Sequence, residues 1–125
     1  MSEINSYRDL KVWQNAMDIA ERCYGLTQDF PKSETYGMSS QIRRASVSIA
    51  ANIAEGYGRD STRNFVNFLR TAQGSLKELE THLLLCPRVG LANDEAVSPL
   101  LTACDDLGKM LRAFIRSIQR SAEDP

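Results

Sequence analysis

Few side chains in this sequence are of the kinds that do chemistry, and their spacing limits what they could do. The single histidine, His82, has Glu78 one helical turn before it and Cys86 one turn after. Glu78 and His82 at i and i+4 read as a helix-surface pair, and Cys86 belongs to an apolar row, which disfavours a cysteine–histidine couple. A di-iron centre in a helical bundle needs Glu-x-x-His motifs, and the residue three before His82 is Leu79. Cys23, Cys86 and Cys104 are odd in number, lack C-x-x-C spacing and fall among apolar residues. They read as reduced core cysteines and not as a disulfide frame or zinc site. The stretch "GYGRDS" shares with phosphate-binding loops a pair of glycines ahead of a helix, but it follows a helix and lacks both the third glycine and the Lys-Ser/Thr ending. Gly56 and Gly58 suit a left-handed helix stop, and the N–H groups opening the next helix beside Arg59 could hold one phosphate. Asn52 lies on or beside an apolar row, with Ser48 four residues before and Glu55 three after. A buried amide must find partners, so Ser48, Asn52 and Glu55 are expected to form a structural polar network that fixes helix register. A small-ligand enzyme site near Asn52 and Glu55 is the weakest alternative. No acid–base pair is supported by a motif, so the expectation is a non-enzymatic protein with no catalytic residue, metal or cofactor.

Helices must position all of these residues. From Leu10 onward Val12, Ala16, Ile19, Cys23, Leu26 and Phe30 recur at steps of four and three, with Trp13, Met17, Ala20 and Tyr24 as a second row beside them. That is the mark of an amphipathic helix, which Pro31 is expected to stop because its ring cannot continue the hydrogen-bond ladder. Ser33 or Ser39 is expected to cap a second helix carrying Ile42, Ala45, Ile49, Asn52 or Ile53, and Gly56. Asp60 or Ser61 caps a third, in which Phe65, Leu69, Ala72, Leu76, Leu79, Leu83 and Cys86 keep the same rhythm until Pro87. The fourth, capped by Asn93 or Ser98, carries Val97, Leu101, Cys104, Leu107, Leu111, Phe114 and Ile118. Gly74 inside the third helix costs up to about 1 kcal/mol relative to Ala, which suggests that something approaches the backbone there. The helices fall at roughly 8–30, 34–57, 61–87 and 94–121, and no segment alternates with period two. The expected fold class is all-α, an antiparallel up-down-up-down four-helix bundle forming one domain over residues 1–125.

A chain of 125 residues, 42% hydrophobic, suits one such core. Fifteen Lys and Arg against sixteen Asp and Glu give a formal charge of -1, which lacks the strongly basic footprint of a dedicated nucleic-acid binder. The N-terminal "MSEINSYRDL" has no basic-then-apolar signal pattern and the apolar runs are short, so the expectation is cytoplasmic, without a membrane.

The antiparallel order sorts the charges. Arg8, Lys11, Arg59, Arg63, Arg70, Arg112, Arg116 and Arg120 collect towards one end, while Asp29, Glu34, Glu78, Glu80, Asp94, Glu95, Asp105 and Asp106 collect at the other. Arg63, Arg70 and Lys77 form one stripe on the third helix, and Lys109, Arg112, Arg116 and Arg120 another on the fourth. Arg59, Arg63, Arg70, Lys77, Arg112 and Arg116 are therefore the candidate contacts to phosphate or nucleic acid. A solvated, charge-balanced face is the plainer reading, and head-to-tail assembly of basic on acidic ends is a third.

From Ala45 to Ala54 the second helix carries no charged side chain on any face, as expected of a helix covered on more than its core side. Ser46, Ala50, Ala51, Asn52 and Ala54 are small enough to admit another helix, and they are the expected oligomer interface. The expected partner is a second copy of the chain, with nucleic acid or another protein, for which the bundle would act as an adaptor, as the alternatives.

The segments "YRDLKVWQNAMDIA", "SSQIRRASVSIAANIAEGYGR" and "NFLRTAQGSLKELETHL" together resemble the four-helix bundle family encoded in intervening sequences of bacterial 23S ribosomal RNA genes. The matching positions are Arg43, Arg44, Ala45, Ser48, Ile49, Asn52, Ile53, Ala54, Glu55, Gly56 and Arg59, followed by Gly74, Ser75 and Glu78. No catalytic motif is among them. The resemblance implies a four-helix bundle that assembles into a ring of five. It extends to the accessory variability protein of diversity-generating retroelements, which is similar in fold and binds nucleic acid and a reverse transcriptase through a basic ring; the near-neutral charge of this chain departs from that relative.

Overall fold

The computed structural model describes residues 3–123, the last of them in backbone only. Four helices follow one another: α1 (Lys11–Thr27), α2 (Met38–Tyr57), α3 (Thr62–Arg88) and α4 (Asp94–Glu123), with short 3-10 turns at Tyr7–Asp9 and Lys32–Glu34. Contacts run from α1 to α2, α2 to α3, α3 to α4 and back from α4 to α1. With connections this short, consecutive helices run antiparallel, as an up-down four-helix bundle requires.

The helices α2, α3 and α4 begin where a nearby side chain satisfies one of the first free N–H groups, whereas Leu10 ahead of α1 makes no side-chain cap. Ser61 Oγ accepts from Asn64 N at 3.1 Å ahead of α3, and Asn93 Oδ1 accepts from Ala96 N at 2.8 Å ahead of α4. Before α1, Ser6 and Asp9 form a capping box on the 3-10 turn, so the helix proper starts at Lys11 and not near residue 8. Neither Ser33 nor Ser39 caps α2. Gly37 occupies that position and Glu34 Oε1 takes the Met38 N–H at 2.9 Å, because the 3-10 turn brings a longer acidic side chain back to the helix start.

Two expectations about helix ends are corrected. Thr27 closes α1, four residues before Pro31, and its hydroxyl donates to the Cys23 carbonyl at 2.8 Å. Gly56 and Gly58 are not left-handed; the positive-φ glycine is Gly90, at 77°. There Leu91 N donates to Cys86 O at 2.9 Å and Gly90 N to Pro87 O at 3.3 Å, the paired bonds of a Schellman stop. Pro87 sits inside the last turn of α3 and the helix runs on to Arg88.

The core is built from Val12, Ala16, Ile19 and Cys23 of α1, Ile42, Ala45, Ile49 and Ile53 of α2, and Leu69, Leu76, Leu79 and Leu83 of α3. From α4 it takes Val97, Leu100, Cys104, Leu107, Leu111 and Ile115. Leu101, Phe114 and Ile118, expected in that stripe, are its half-buried shoulders. The apolar face of α4 is wider than a single row, so spacing alone allows either line. Phe65 is a shoulder as well, edge-on to Tyr57 and Phe114 with centroids 6.0 and 5.8 Å away, and Val66 fills the core beside it.

Gly56 is required by a close approach. A Cβ there would lie 2.6 Å from Phe68 Cβ and 3.0 Å from a Phe65 ring carbon, where the end of α2 meets the start of α3. Gly74, expected to sit under something, has nothing within 4 Å of such an atom. Gly74→Ala is therefore expected to raise the stability of the chain by about 0.5–1 kcal/mol, because helical Ala loses less backbone entropy than Gly. A chemical-denaturation midpoint that falls instead would show that the position is covered.

Candidate functional site

The bundle turns three faces of α2 to different tasks. Ile42, Ala45, Ile49 and Ile53 point to the core, one flank meets α1 and the other meets α3.

On the α1 flank, Ser46 and Ala50 are 0% and 4% exposed within one chain. Ser46 Oγ donates to the Arg43 carbonyl at 2.9 Å and lies beside Cys23 of α1. These small residues let α1 approach α2 closely; Ser46 is covered within the chain, while Ala50 still reaches the floor of the surface above it. Above them the surface stays open. Tyr7, Trp13, Met17, Ala20 and Tyr24 from the N-terminal side, with Val47, Ala50, Ala51 and Ala54 from α2, line a groove of about 480 Å³ in which Glu21 is the one charged residue. Met17, Tyr24 and Val47 are 44%, 45% and 45% exposed. Ala51 and Ala54, both expected at an interface, lie on this groove; Val47, Met17 and Tyr24 were not anticipated there. Their signal was present in the second apolar row of α1, which reads as core from spacing alone and becomes a surface because α2 covers only one side of it.

On the α3 flank, Asn52 Nδ2 donates to the Ser48 carbonyl at 2.8 Å and to Ser48 Oγ at 3.0 Å, and the Ser48 and Ser75 hydroxyls share a hydrogen bond of 2.8 Å. Ser48 and Asn52 thus form the expected polar network, joined by Ser75 of α3. Glu55 is outside it. That carboxylate is exposed and pairs with Arg59 at 3.0 Å, because its position on α2 faces solvent while Asn52 faces α3. Asn52 belongs to this seam and not to the α1-side groove.

The candidate phosphate contacts divide into tied and untied. Arg59 pairs with Glu55 and stacks over Phe68 at 4.9 Å, and Lys77 pairs with Glu80 at 2.9 Å. Arg63, Arg70, Arg112 and Arg116 are exposed and have no ion-pair partner within 4.0 Å among the described residues. Arg63 and Arg70, with Thr62, Val66, Asn67, Gln119 and Ala122, line a wide depression of about 680 Å³ between α3 and α4.

The groups that nucleophilic chemistry would need are spoken for. His82 Nε2 lies 3.2 Å from Glu78 Oε2. Cys23 and Cys104 are enclosed, and burial pushes both thiols up to about 12; burial also raises Cys86. A thiol in that range is not a nucleophile at neutral pH. Iodoacetamide at pH 8 is therefore expected to modify none of the three in the folded protein and all three in denaturant; mass spectrometry of native-labelled protein showing an adduct on Cys23 or Cys104 would contradict the enclosed core. Among the described residues no group of three or more His, Cys, Asp or Glu side chains could hold a metal ion, and no helix is long and apolar enough to cross a membrane.

These features define a four-helix bundle with an apolar groove, an internal polar seam and an untied basic surface between α3 and α4. The chain belongs to the 23S rRNA-intervening sequence protein family, whose sequence model matches residues 8–113. It is similar to the crystal structure of a protein of unknown function from the S23 ribosomal protein family of Bacteroides thetaiotaomicron. That similarity has 27% identity and a TM-score of 0.75 over 83% of this chain and 97% of the other. No curated protein matches it.

Proposed function

We propose that this chain is a non-enzymatic, self-assembling bundle of the cytoplasm that works as an oligomer, with its α1/α2 groove packed on another copy of itself. The observation that carries this is the groove: three large apolar side chains nearly half exposed, beside a helix with no charge from Ala45 to Ala54. Contiguous exposed apolar surface of this kind marks interaction sites in soluble proteins. A second copy fits better than an unrelated partner because the chain offers the complement itself. Leu84, Leu85 and Val89 are exposed near the end of α3, close in sequence to Glu78, Glu80, Asp94 and Glu95. A head-to-tail contact would therefore bring apolar surface to apolar surface and acidic to basic ends. The family resemblance supplies the expected number, a ring of five. The test is the solution mass of the protein by multi-angle light scattering.

A second reading, in which the assembly binds nucleic acid, is favoured by Arg63 and Arg70, which open on the α3/α4 depression without carboxylate partners among the described residues. Phosphate contacts are strongest at low salt. Titration with structured RNA and DNA at low ionic strength should then give binding that weakens as salt is added and on Arg63→Gln/Arg70→Gln; no binding at low salt rejects the reading.

A further inference from the structure

The end of the bundle that carries most of the acidic residues also holds a cluster of cations. The turn between α1 and α2 and the first turns of α2 enclose a depression of about 460 Å³ on which Lys32, Arg43, Arg44, Thr35, Ser39 and Ser40 all open. Its size is within the range of roughly 300–1,000 Å³ of small-molecule sites.

Ser39 is only 8% exposed, and its hydroxyl has no hydrogen-bond partner among the described residues, whereas the hydroxyls of Ser46, Ser48 and Thr27 are all engaged. Among the described residues no fully enclosed side-chain oxygen or nitrogen lacks a partner, so the free Ser39 hydroxyl opens on the depression that Ser39 lines. The backbone adds to it. Glu34 takes the Met38 N–H and Gln41 N reaches the Gly37 carbonyl, which leaves the Ser39 and Ser40 N–H groups without acceptors among the described residues. Free N–H groups at a helix start attract anions. Arg43 is already fixed: its Nε donates to Thr27 Oγ1 at 2.8 Å and its guanidinium lies 4.6 Å over the Tyr24 ring, which leaves its outer nitrogens for a ligand. Arg44 is exposed beside it. Glu34, bound to the Met38 N–H, does not line the depression. On the rim stands Tyr36, 97% exposed, a flat ring with no packing of its own.

We infer that this depression binds the phosphate of a nucleoside monophosphate. The phosphate oxygens accept from the Ser39 hydroxyl and from the Ser39 and Ser40 N–H groups, Arg43, Arg44 and Lys32 balance its charge, and the base stacks on Tyr36. A phosphate monoester carries close to two negative charges at neutral pH, which three cations and a helix start can match. The shape of the site requires no second copy of the chain.

Isothermal titration of the full chain at low ionic strength, with inorganic phosphate, adenosine and AMP as probes, tests this. Inorganic phosphate should bind, AMP should bind at least tenfold more tightly, and adenosine alone should bind more weakly than AMP. Arg44→Gln, an exposed change that leaves the helical signal and melting temperature intact, should weaken phosphate and AMP alike by about tenfold, the size of one charged hydrogen bond. Ser39→Ala should also weaken both. Tyr36→Ala should weaken AMP and leave inorganic phosphate unchanged. Absence of phosphate and AMP binding at low salt, or affinities unmoved by Arg44→Gln, would overturn the site. AMP binding no tighter than inorganic phosphate would overturn the nucleoside part of the inference.

Discussion

Val47→Glu is expected to convert the assembled protein into chains of 14.0 kDa while leaving its helical circular dichroism unchanged. Val47 is nearly half exposed on the outer side of α2, in the groove with Met17, Ala51 and Tyr24. In a single chain a carboxylate there reaches water, and exposed substitutions of this kind usually shift stability by less than about 0.5 kcal/mol. Between two copies the same carboxylate is pressed against apolar side chains and loses its water, and although Arg43 and Arg44 stand one turn away and offset part of the penalty, the net cost is about 3 kcal/mol. That is about a hundredfold in association per contact. Ala51→Glu should act in the same way, and Thr102→Glu, exposed on α4 away from the groove, should leave the mass unchanged. A Val47→Glu protein that keeps the parental mass would remove the groove from the interface.

The second large effect is on stability. Gly56→Ala is expected to destabilise the fold by about 2–3 kcal/mol, within the usual range for overpacking, and to lower the melting temperature by about 10 °C at fixed protein concentration. The added methyl would meet Phe68 Cβ at 2.6 Å and a Phe65 ring carbon at 3.0 Å. Phe68 Cβ is anchored to its own backbone and cannot swing aside, so the ends of α2 and α3 must separate. That separation would also disturb the edge-on ring pairs that Phe65 makes with Tyr57 and Phe114. Gly74→Ala on α3, where the space is open, is the internal control, with the opposite sign. Equal melting temperatures for Gly56→Ala and the parent would contradict the close crossing.

The two glycines show what sequence can and cannot tell. Both invite an explanation as residues in a chain, but "GYG" ahead of a helix looks like a left-handed stop, and only the crossing of α2 over α3 shows that Gly56 serves contact. Gly90, the residue with the positive φ, hides in "PRVGLAND", where Pro87 draws attention as the apparent helix end. Periodicity found all four helices because the apolar rows of α1 and α3 follow the helical repeat so closely. It could not separate neighbouring rows on a wide apolar face. Spacing therefore points to Leu101, Phe114 and Ile118 where Leu100 and Ile115 fill the core, and it does not show that Met17 and Tyr24, in the second row of α1, are nearly half exposed.

The polar features were legible in part for a related reason. Ser48 and Asn52 stand one turn apart on one helix, so their contact follows from helical geometry. Ser75 belongs to another helix, and its pairing with Ser48 depends on the register of α2 on α3. Glu55 also stands within one turn of Asn52, yet the rotation of the helix sends it to solvent and to Arg59. The charge-free run from Ala45 to Ala54 did signal a helix covered on several sides. Part of that cover is the bundle itself, since Ser46 is enclosed against α1, Ala50 shows only at the floor of the groove, and Ser48 and Asn52 are tied at the α3 seam. What remains outside is Val47, Ala51 and Ala54, a narrower strip than the sequence implied, widened by the aromatic and methionine side chains of α1.

Assembly through that strip is tested most directly by the mass of the unmodified protein, measured by size-exclusion chromatography with multi-angle light scattering across a range of concentrations. A single species at a multiple of 14.0 kDa, fivefold for a ring of five, is the predicted result; a uniform 14.0 kDa monomer at every concentration would contradict it.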